Sequence, residues 1–151
     1  MENIVLISST GGHWSQLIEI YQKCKKKDNI YLITEKNATN DNIKGILFLT
    51  QQDRKSNWFI FVFLYNVIKS LYFVLKIKPI EVISTGAGMA VPFLMFSKIV
   101  GSKIIFIESF AKVTSPTLTG RIVYKFADEF FVQWPEMLKI YPKAKYRGSL
   151  Y

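Results

Sequence analysis

The chain of 151 residues contains one histidine, His13, directly after Ser9-Thr10-Gly11-Gly12. An imidazole titrates near neutrality, so at a ligand-facing position it can take the proton of a sugar hydroxyl. At a helix start it can equally act as a cap or hydrogen-bonding group. A second turn, Thr85-Gly86-Ala87-Gly88, has the same small, glycine-rich character. Glycines let backbone N–H groups approach an anion closely, and the positive end of a following helix favours a phosphate. Two such turns at one edge suit a diphosphate, held by Ser9, Thr10, Gly11, Gly12, Thr85, Gly86 and Gly88; the plainer alternative is a pair of tight strand–helix connections. Neither turn is the six-position dinucleotide fingerprint, and no P-loop lysine follows either. The third candidate is Glu108, which closes the apolar run KIIFIE. A carboxylate there faces a site, as an acid/base or hydroxyl-binding group, or pairs with a backbone donor.

Other chemistries lack their residues. There is no Asp-x-Asp for a metal-bound sugar nucleotide, no zinc-spaced cluster and no Gly-x-Ser-x-Gly elbow. Neither a metal nor a cofactor is expected. The single cysteine, Cys24, excludes an internal disulfide and suits a reducing cytoplasm. The first apolar run is short and has no basic segment before it, so it reads as a strand and not as a signal peptide.

The elements that must position these residues alternate. Residues 3–9 (NIVLISS) read as a buried parallel strand. Trp14, Leu17, Ile18 and Tyr21 then mark one face of a helix running into Lys25-Lys26-Lys27. Residues 30–34 and 46–50 are the next strands. Ser56 is expected to cap a long helix over 58–76, closed by Pro79. A strand at 79–85, a helix to about Val100 stopped by Gly101, and a strand at 103–108 follow. Ser115-Pro116 opens a helix to Ala127, and strands at 129–133 and 145–147 flank a short helix at 135–141. The alternation predicts an α/β fold, one Rossmann-like doubly wound parallel sheet over residues 1–151, with ligands gathered at the carboxyl ends of the strands.

The formal charge is +9, and 17 of the 20 basic residues are lysine; the arginines are Arg54, Arg121 and Arg147. Lysine is a hydrated point charge, whereas arginine supplies the planar fork that reads base edges and grips phosphates. Beside many aromatics this balance fits an anionic membrane surface at least as well as nucleic acid, the plainer alternative being a solvated basic surface with no specific partner; no recognisable nucleic-acid motif is present. Residues 58–75 (WFIFVFLYNVIKSLYFVL) include 15 apolar residues in 18. As a helix they would measure about 27 Å, near the thickness of a bilayer core. Such a segment spans, lies in the interface, or serves as a core helix. The polar trio Asn66, Lys69 and Ser70 disfavours a lone span, and the reading adopted is a monotopic contact through Trp58, Phe59, Phe61, Phe63, Tyr65 and Lys69.

In order, SSTGGHWSQL, STGAGMAVP, FIESFAKVTSPTLTGRIVYKFADEFFVQWPE and YRGSLY resemble bacterial capsular and exopolysaccharide relatives of the membrane-anchoring subunit of the two-subunit dolichol-diphosphate GlcNAc transferase. More distantly, Gly11-Gly12-His13, Gly86-Ala87-Gly88 and Glu108 resemble the matching sites in the N-terminal half of the peptidoglycan GlcNAc transferase. The resemblance implies the N-terminal domain type of a GT-B glycosyltransferase, acting on a polyprenyl-diphosphate-linked sugar at the cytoplasmic face of a bacterial plasma membrane. It implies an inverting transfer with His13 as the candidate base, the two glycine turns as the acceptor-diphosphate cradle, and a separate subunit carrying the UDP-sugar site. The eukaryotic subunit has an N-terminal span; here the first strand begins at residue 3, so attachment is expected through 58–75. Trp134, Pro135 and Tyr151 lie where the second domain follows in fused enzymes and are the expected partner interface. The competing expectation is a non-catalytic membrane recruiter of the catalytic partner.

Overall fold

Runs rich in isoleucine, valine, leucine and phenylalanine form strands because both faces of each are covered. The computed structural model describes residues 2–25, 27–36, 45–53 and 55–151. Its strands are β1 (Ile4–Ser8), β2 (Ile30–Glu35), β3 (Ile46–Leu49), β4 (Glu81–Gly86), β5 (Lys103–Ile107), β6 (Glu129–Val132) and β7 (Lys145–Tyr146). The helices are α1 (Gly12–Lys23), α2 (Phe59–Ile77), α3 (Val91–Ile99) and α4 (Leu118–Val123), with 3-10 turns at Gly88–Ala90 and Pro135–Lys139. All seven strands are parallel, in the order β3-β2-β1-β4-β5-β6-β7. The doubly wound sheet expected from the alternation is therefore present. The strand order reverses between β1 and β4, which opens a crevice at their carboxyl ends.

Alternate side chains enter the two layers. Leu6 and Leu32 join Trp14 and Leu17 beneath α1. Val5, Ile7, Ile33, Val82, Ile104 and Phe106 join Phe73, Phe93 and Leu94 beneath α2 and α3. Register along β1 is even until a shift between Ile7 and Ser8 where it meets β4. That irregularity falls at the start of the first glycine turn.

Helix α2 buries a mixed face and exposes an apolar one. Its buried residues are Asn66, Ser70, Phe73, Val74 and Ile77, while Ile60, Phe61, Leu64, Tyr65, Ile68, Leu71, Tyr72 and Leu75 are exposed. The polar breaks at Asn66 and Ser70 thus point into the protein. Asn66 brackets the end of β3: its Oδ1 accepts from Thr50 N (2.9 Å) and its Nδ2 donates to Thr50 O (2.7 Å). Among the described residues, α2 alone is long and apolar enough to cross a membrane by length and composition.

Several boundaries move for local reasons. Ser56 Oγ accepts from Trp58 N (3.2 Å), closing a turn before α2, so the helix starts at Phe59. Residues 88–90 form a 3-10 turn before α3. Helix α4 opens at Leu118, not at Ser115-Pro116, because extended Thr117 caps it by accepting from Gly120 N (2.8 Å). Its end tightens into i→i−3 bonds from Lys125 and Phe126, and so the helix stops short of Ala127.

Candidate functional site

The first glycine turn passes through Gly11 at φ 77° and starts α1 at Gly12, which puts His13 in the helix's first turn. There the imidazole reaches the other glycine turn. His13 Nδ1 lies 2.6 Å from Thr85 O, and Thr85 Oγ1 donates back to His13 O at 2.7 Å. A carbonyl only accepts, so the ring hydrogen sits on Nδ1 and the neutral ring keeps its lone pair on Nε2. The ring packs on Gly86, where φ is 121°; a Cβ there would lie 2.9 Å from His13 Cε1 and 3.0 Å from Nδ1. The next residue, Ala87, holds φ 88° and ψ 148°, a conformation that strains a non-glycine residue. The two turns therefore meet at the switch point, held together by the histidine.

A cleft opens on either side of this junction. One, of about 310 Å³, is lined by Gly12, His13, Gln16, Ser109, Phe110, Ala111 and Tyr151. The other, of about 250 Å³, is lined by Ser9, Thr10, Glu35, Gln52, Ala87, Gly88 and Met89. The structure thus divides the residues expected to form one diphosphate cradle. Thr85 and Gly86 are buried between the clefts, and the Thr85 hydroxyl is spent on His13. Both hold the imidazole and line neither cleft.

Glu108 is 1% exposed, and its carboxylate is surrounded by donors from its own chain. Oε1 accepts from Ser109 N and Thr117 Oγ1, each at 2.8 Å. Oε2 accepts from Tyr141 Oη at 2.9 Å and Thr117 N at 3.2 Å. Burial, reinforced by the Glu108 charge, pushes the Tyr141 phenol up, so it remains a donor at neutral pH. Gly120 leaves room for this cluster, since a Cβ there would collide with Oε2 and stand 2.7 Å from the Tyr141 hydroxyl. In this geometry Glu108 ties the end of β5 to the 109–117 loop, the start of α4 and Tyr141, the donor-pairing alternative that the sequence left open beside an acid/base role.

Glu35, which the sequence reading passed over, ends β2 beside the second cleft at 6% exposure. Desolvation raises its pKa, against the lowering effect of hydrogen bonds from Gln52 and Thr10. Gln52 N reaches Glu35 Oε1 at 3.4 Å, and the buried Gln52 Nε2 finds no acceptor among the described residues. The signal was available: IYLITE ends in a carboxylate as KIIFIE does. Gln16 and Gln133 were also missed. Both are buried and 3.3 Å apart, and Gln133 Nε2 also donates to Glu108 O at 2.9 Å.

The C-terminal residues fold back to the His13 cleft. Trp134 Nε1 donates to Phe110 O at 2.7 Å, and the Phe110 ring lies tilted against Trp134 at 5.0 Å and meets Tyr151 edge-on at 5.3 Å. Pro135 and Tyr151 are exposed and Trp134 is half-buried. On α2's side, Trp58, Phe61 and Tyr65 are exposed, while Phe59 and Phe63 are half-buried and stack on each other. Lys69 Nζ lies 5.6 Å over the Tyr65 ring and 5.8 Å over Phe73. Among the described residues no group of acidic, histidine or cysteine side chains is placed to hold a metal.

Comparison with known proteins gives one family. The family described as "Oligosaccharide biosynthesis protein Alg14 like" matches residues 50–150, a stretch that includes Glu108 and the second glycine turn but not His13 or Glu35. The protein "UDP-N-acetylglucosamine transferase subunit ALG14" of Rattus norvegicus is 24% identical over 177 aligned positions, covering 97% of this chain and 82% of the rat protein. Its Kluyveromyces lactis counterpart is 57% identical over 49 residues, covering 32% of this chain and 21% of the yeast protein. The Mus musculus protein is 33% identical over 97 residues, 60% of this chain and 45% of its own length. Against the last two, the matched stretch spans less than half of the relative. Two solved structures share the fold. Acinetobacter baumannii MurG superposes with a TM-score of 0.68 at 15% identity over 90% of this chain and 43% of its own. Rickettsia bellii UDP-N-acetylglucosamine 2-epimerase gives 0.74 at 14% identity over 99% and 45%.

Proposed function

The chain belongs to the Alg14-like family of oligosaccharide biosynthesis proteins, and from that premise we propose that it is the acceptor-binding subunit of a two-component UDP-sugar glycosyltransferase. The acceptor is a sugar on a polyprenyl diphosphate, the setting is capsular or exopolysaccharide synthesis at the cytoplasmic face of a bacterial plasma membrane, and a separate subunit brings the UDP-sugar.

The observation that carries this reading is the His13–Thr85 pair. The Thr85 carbonyl fixes the tautomer, leaving Nε2 to take the acceptor hydroxyl's proton as that oxygen attacks the anomeric carbon and UDP departs with the bonding electrons. The configuration at that carbon inverts. The acceptor diphosphate sits at Gly11 and Gly12, where the unpaired N–H groups of α1 begin. Trp134, Pro135 and Tyr151 face the donor subunit; of these, Tyr151 lines the same cleft. The outward face of α2 rests among lipid headgroups, with Trp58, Phe61 and Tyr65 as anchors and Lys69 on the rim.

Purified chain with UDP-sugar and lipid acceptor is expected to give no transfer until the donor-binding subunit is added. In the restored pair, His13→Ala lowers turnover by about 100-fold or more while assembly persists. Transfer by the chain alone overturns the division of labour. The competing reading is a non-catalytic recruiter, which the hydrogen-bonded state of Glu108 favours; reconstituted turnover left unchanged by both His13→Ala and Glu108→Gln selects it. For the lipid contact, cosedimentation with anionic vesicles is expected to exceed that with neutral ones and to fall to background when Trp58, Phe61 and Tyr65 become serine. Binding that survives those changes places the contact elsewhere.

A further inference from the structure

Gln16 lies one turn along α1 from His13 and lines the same cleft, although only 3% of it is exposed. Residues three apart share a helix face, so its amide and the imidazole look onto one space. Which end of that amide faces the cleft is fixed from a distance. A backbone carbonyl only accepts and a backbone N–H only donates. Gln133 is bound by one of each: its Nε2 donates to Glu108 O at 2.9 Å, and its Oε1 accepts from Leu150 N at 3.0 Å. The second hydrogen on Gln133 Nε2 goes to Gln16 Oε1 at 3.3 Å. Gln16 is thereby turned with its Nε2 away from Gln133, and that nitrogen meets no acceptor among the described residues. Nor is it sealed in: the buried, unpartnered side-chain atoms among those residues belong to Thr34, Gln52, Ser70 and Ser97. A nearly buried donor left without an acceptor is costly, and a ligand oxygen in the cleft would relieve that cost.

We infer that Gln16 is a specificity-determining residue of this cleft, its Nε2 donating to an oxygen of the acceptor sugar beside the hydroxyl that His13 deprotonates. The inference rests on the acceptor-subunit reading for the identity of the ligand. His13 Nε2 offers a lone pair and Gln16 Nε2 offers hydrogens, so together they match a ring edge on which one oxygen donates and its neighbour accepts. Phe110 and Tyr151, whose rings meet edge-on, give the cleft an aromatic wall suited to the C–H groups of a pyranose. The diphosphate belongs at Gly12, where the helix begins, roughly 6 Å back along the axis from Gln16. Sugar and anion are then read by different residues of one helix, with the imidazole between them.

The test uses the full chain, isotopically labelled, with short-prenyl diphosphates carrying a gluco, galacto or N-acetylgluco pyranose, and with the same prenyl diphosphate bearing no sugar. At least one sugar-bearing probe is expected to shift the Gln16 side-chain amide saturably, together with the Gly12 backbone amide. The bare diphosphate shifts Gly12 and leaves the Gln16 amide in place. Gln16→Met, similar in size and without a donor, weakens the sugar-bearing probe by about 3- to 10-fold, the value of one neutral hydrogen bond. It leaves the affinity for the bare diphosphate unchanged, which also shows that the variant is folded. In the pair restored with the donor-binding subunit, the same change raises KM for the lipid acceptor by that factor and leaves KM for the UDP-sugar where it was. A Gln16 amide moved as much by the bare diphosphate is an anion ligand, and the assignment falls. It falls too if a sugar-bearing probe binds at Gly12 without moving Gln16, or binds Gln16→Met undiminished; all three results leave the acceptor-subunit reading standing. A probe that moves Gln16 in a chain giving no transfer with any donor subunit sinks that reading alone. A panel that moves neither position at tens of millimolar sinks both.

Discussion

The ends of β5 and β2 look alike in sequence and differ in use. Each is an apolar strand closed by glutamate, and each carboxylate is nearly inaccessible, at 1% exposure for Glu108 and 6% for Glu35. At β5 the acid is met by donors from Ser109, Thr117 and Tyr141 and binds the fold together. At β2 burial dominates over the bonds from Gln52 and Thr10, and the acid lines an open cleft. Burial alone therefore does not identify a functional carboxylate. What separates the two is whether the surrounding donors offset the loss of water and whether a cavity reaches the group.

One isosteric substitution tests the contrast, since Glu→Gln is expected to act with opposite sign at the two positions. Glu108→Gln sets an amide nitrogen against donors that have no other acceptor, and the loss of stability is about 2–4 kcal/mol by urea unfolding. Gly120→Ala, which forces a methyl into the same cluster, belongs in that range. A Glu108→Gln variant as stable as the parent would erase the distinction. At Glu35 the effect is smaller and pH-dependent. Its folded-state pKa is raised above the ordinary 4.5, so the native state favours the protonated form. The cost of ionising it is absent below the unfolded value and appears as pH rises through the folded one. Glu35→Gln, uncharged throughout, is then slightly more stable than the parent at neutral pH, by about 1 kcal/mol or less, and level with it in acid. Melting curves across that interval check the sign.

Much of the sheet was legible because buried parallel strands are continuous apolar runs, and the glycine turns marked where β1 and β4 release the chain. That both turns would converge on one histidine was not legible, since the Thr85–His13 bonds join positions 72 residues apart. Glu108 stood out as a misplaced carboxylate, but its donors arrive from 9 and 33 residues downstream. Glu35 is less legible because the apolar run of β2 breaks off at Thr34, so that the acid reads as the first residue of a loop. On α2 length and apolarity are legible, but apolar residues all around the helix hide its orientation. The Asn66 bonds to Thr50 and the burial of Phe73, Val74 and Ile77 fix which face looks inward.

That orientation reverses the usual tolerance of a surface helix. Along α2 the hydrophobic positions, Ile60, Leu64, Ile68 and Leu75, face away from the body of the protein, so exchange among apolar types there leaves the fold untouched. Beside the buried Phe73, Val74 and Ile77, the strict positions include two hydrophilic ones: a leucine at Asn66 would strand the backbone amide and carbonyl of Thr50, and a bulky residue at Ser70 would wedge α2 off the sheet. A lineage drifting under selection for folding alone would keep Asn66 and Ser70 and blur the greasy outer stripe. Persistence of that stripe would record a constraint imposed from outside the polypeptide.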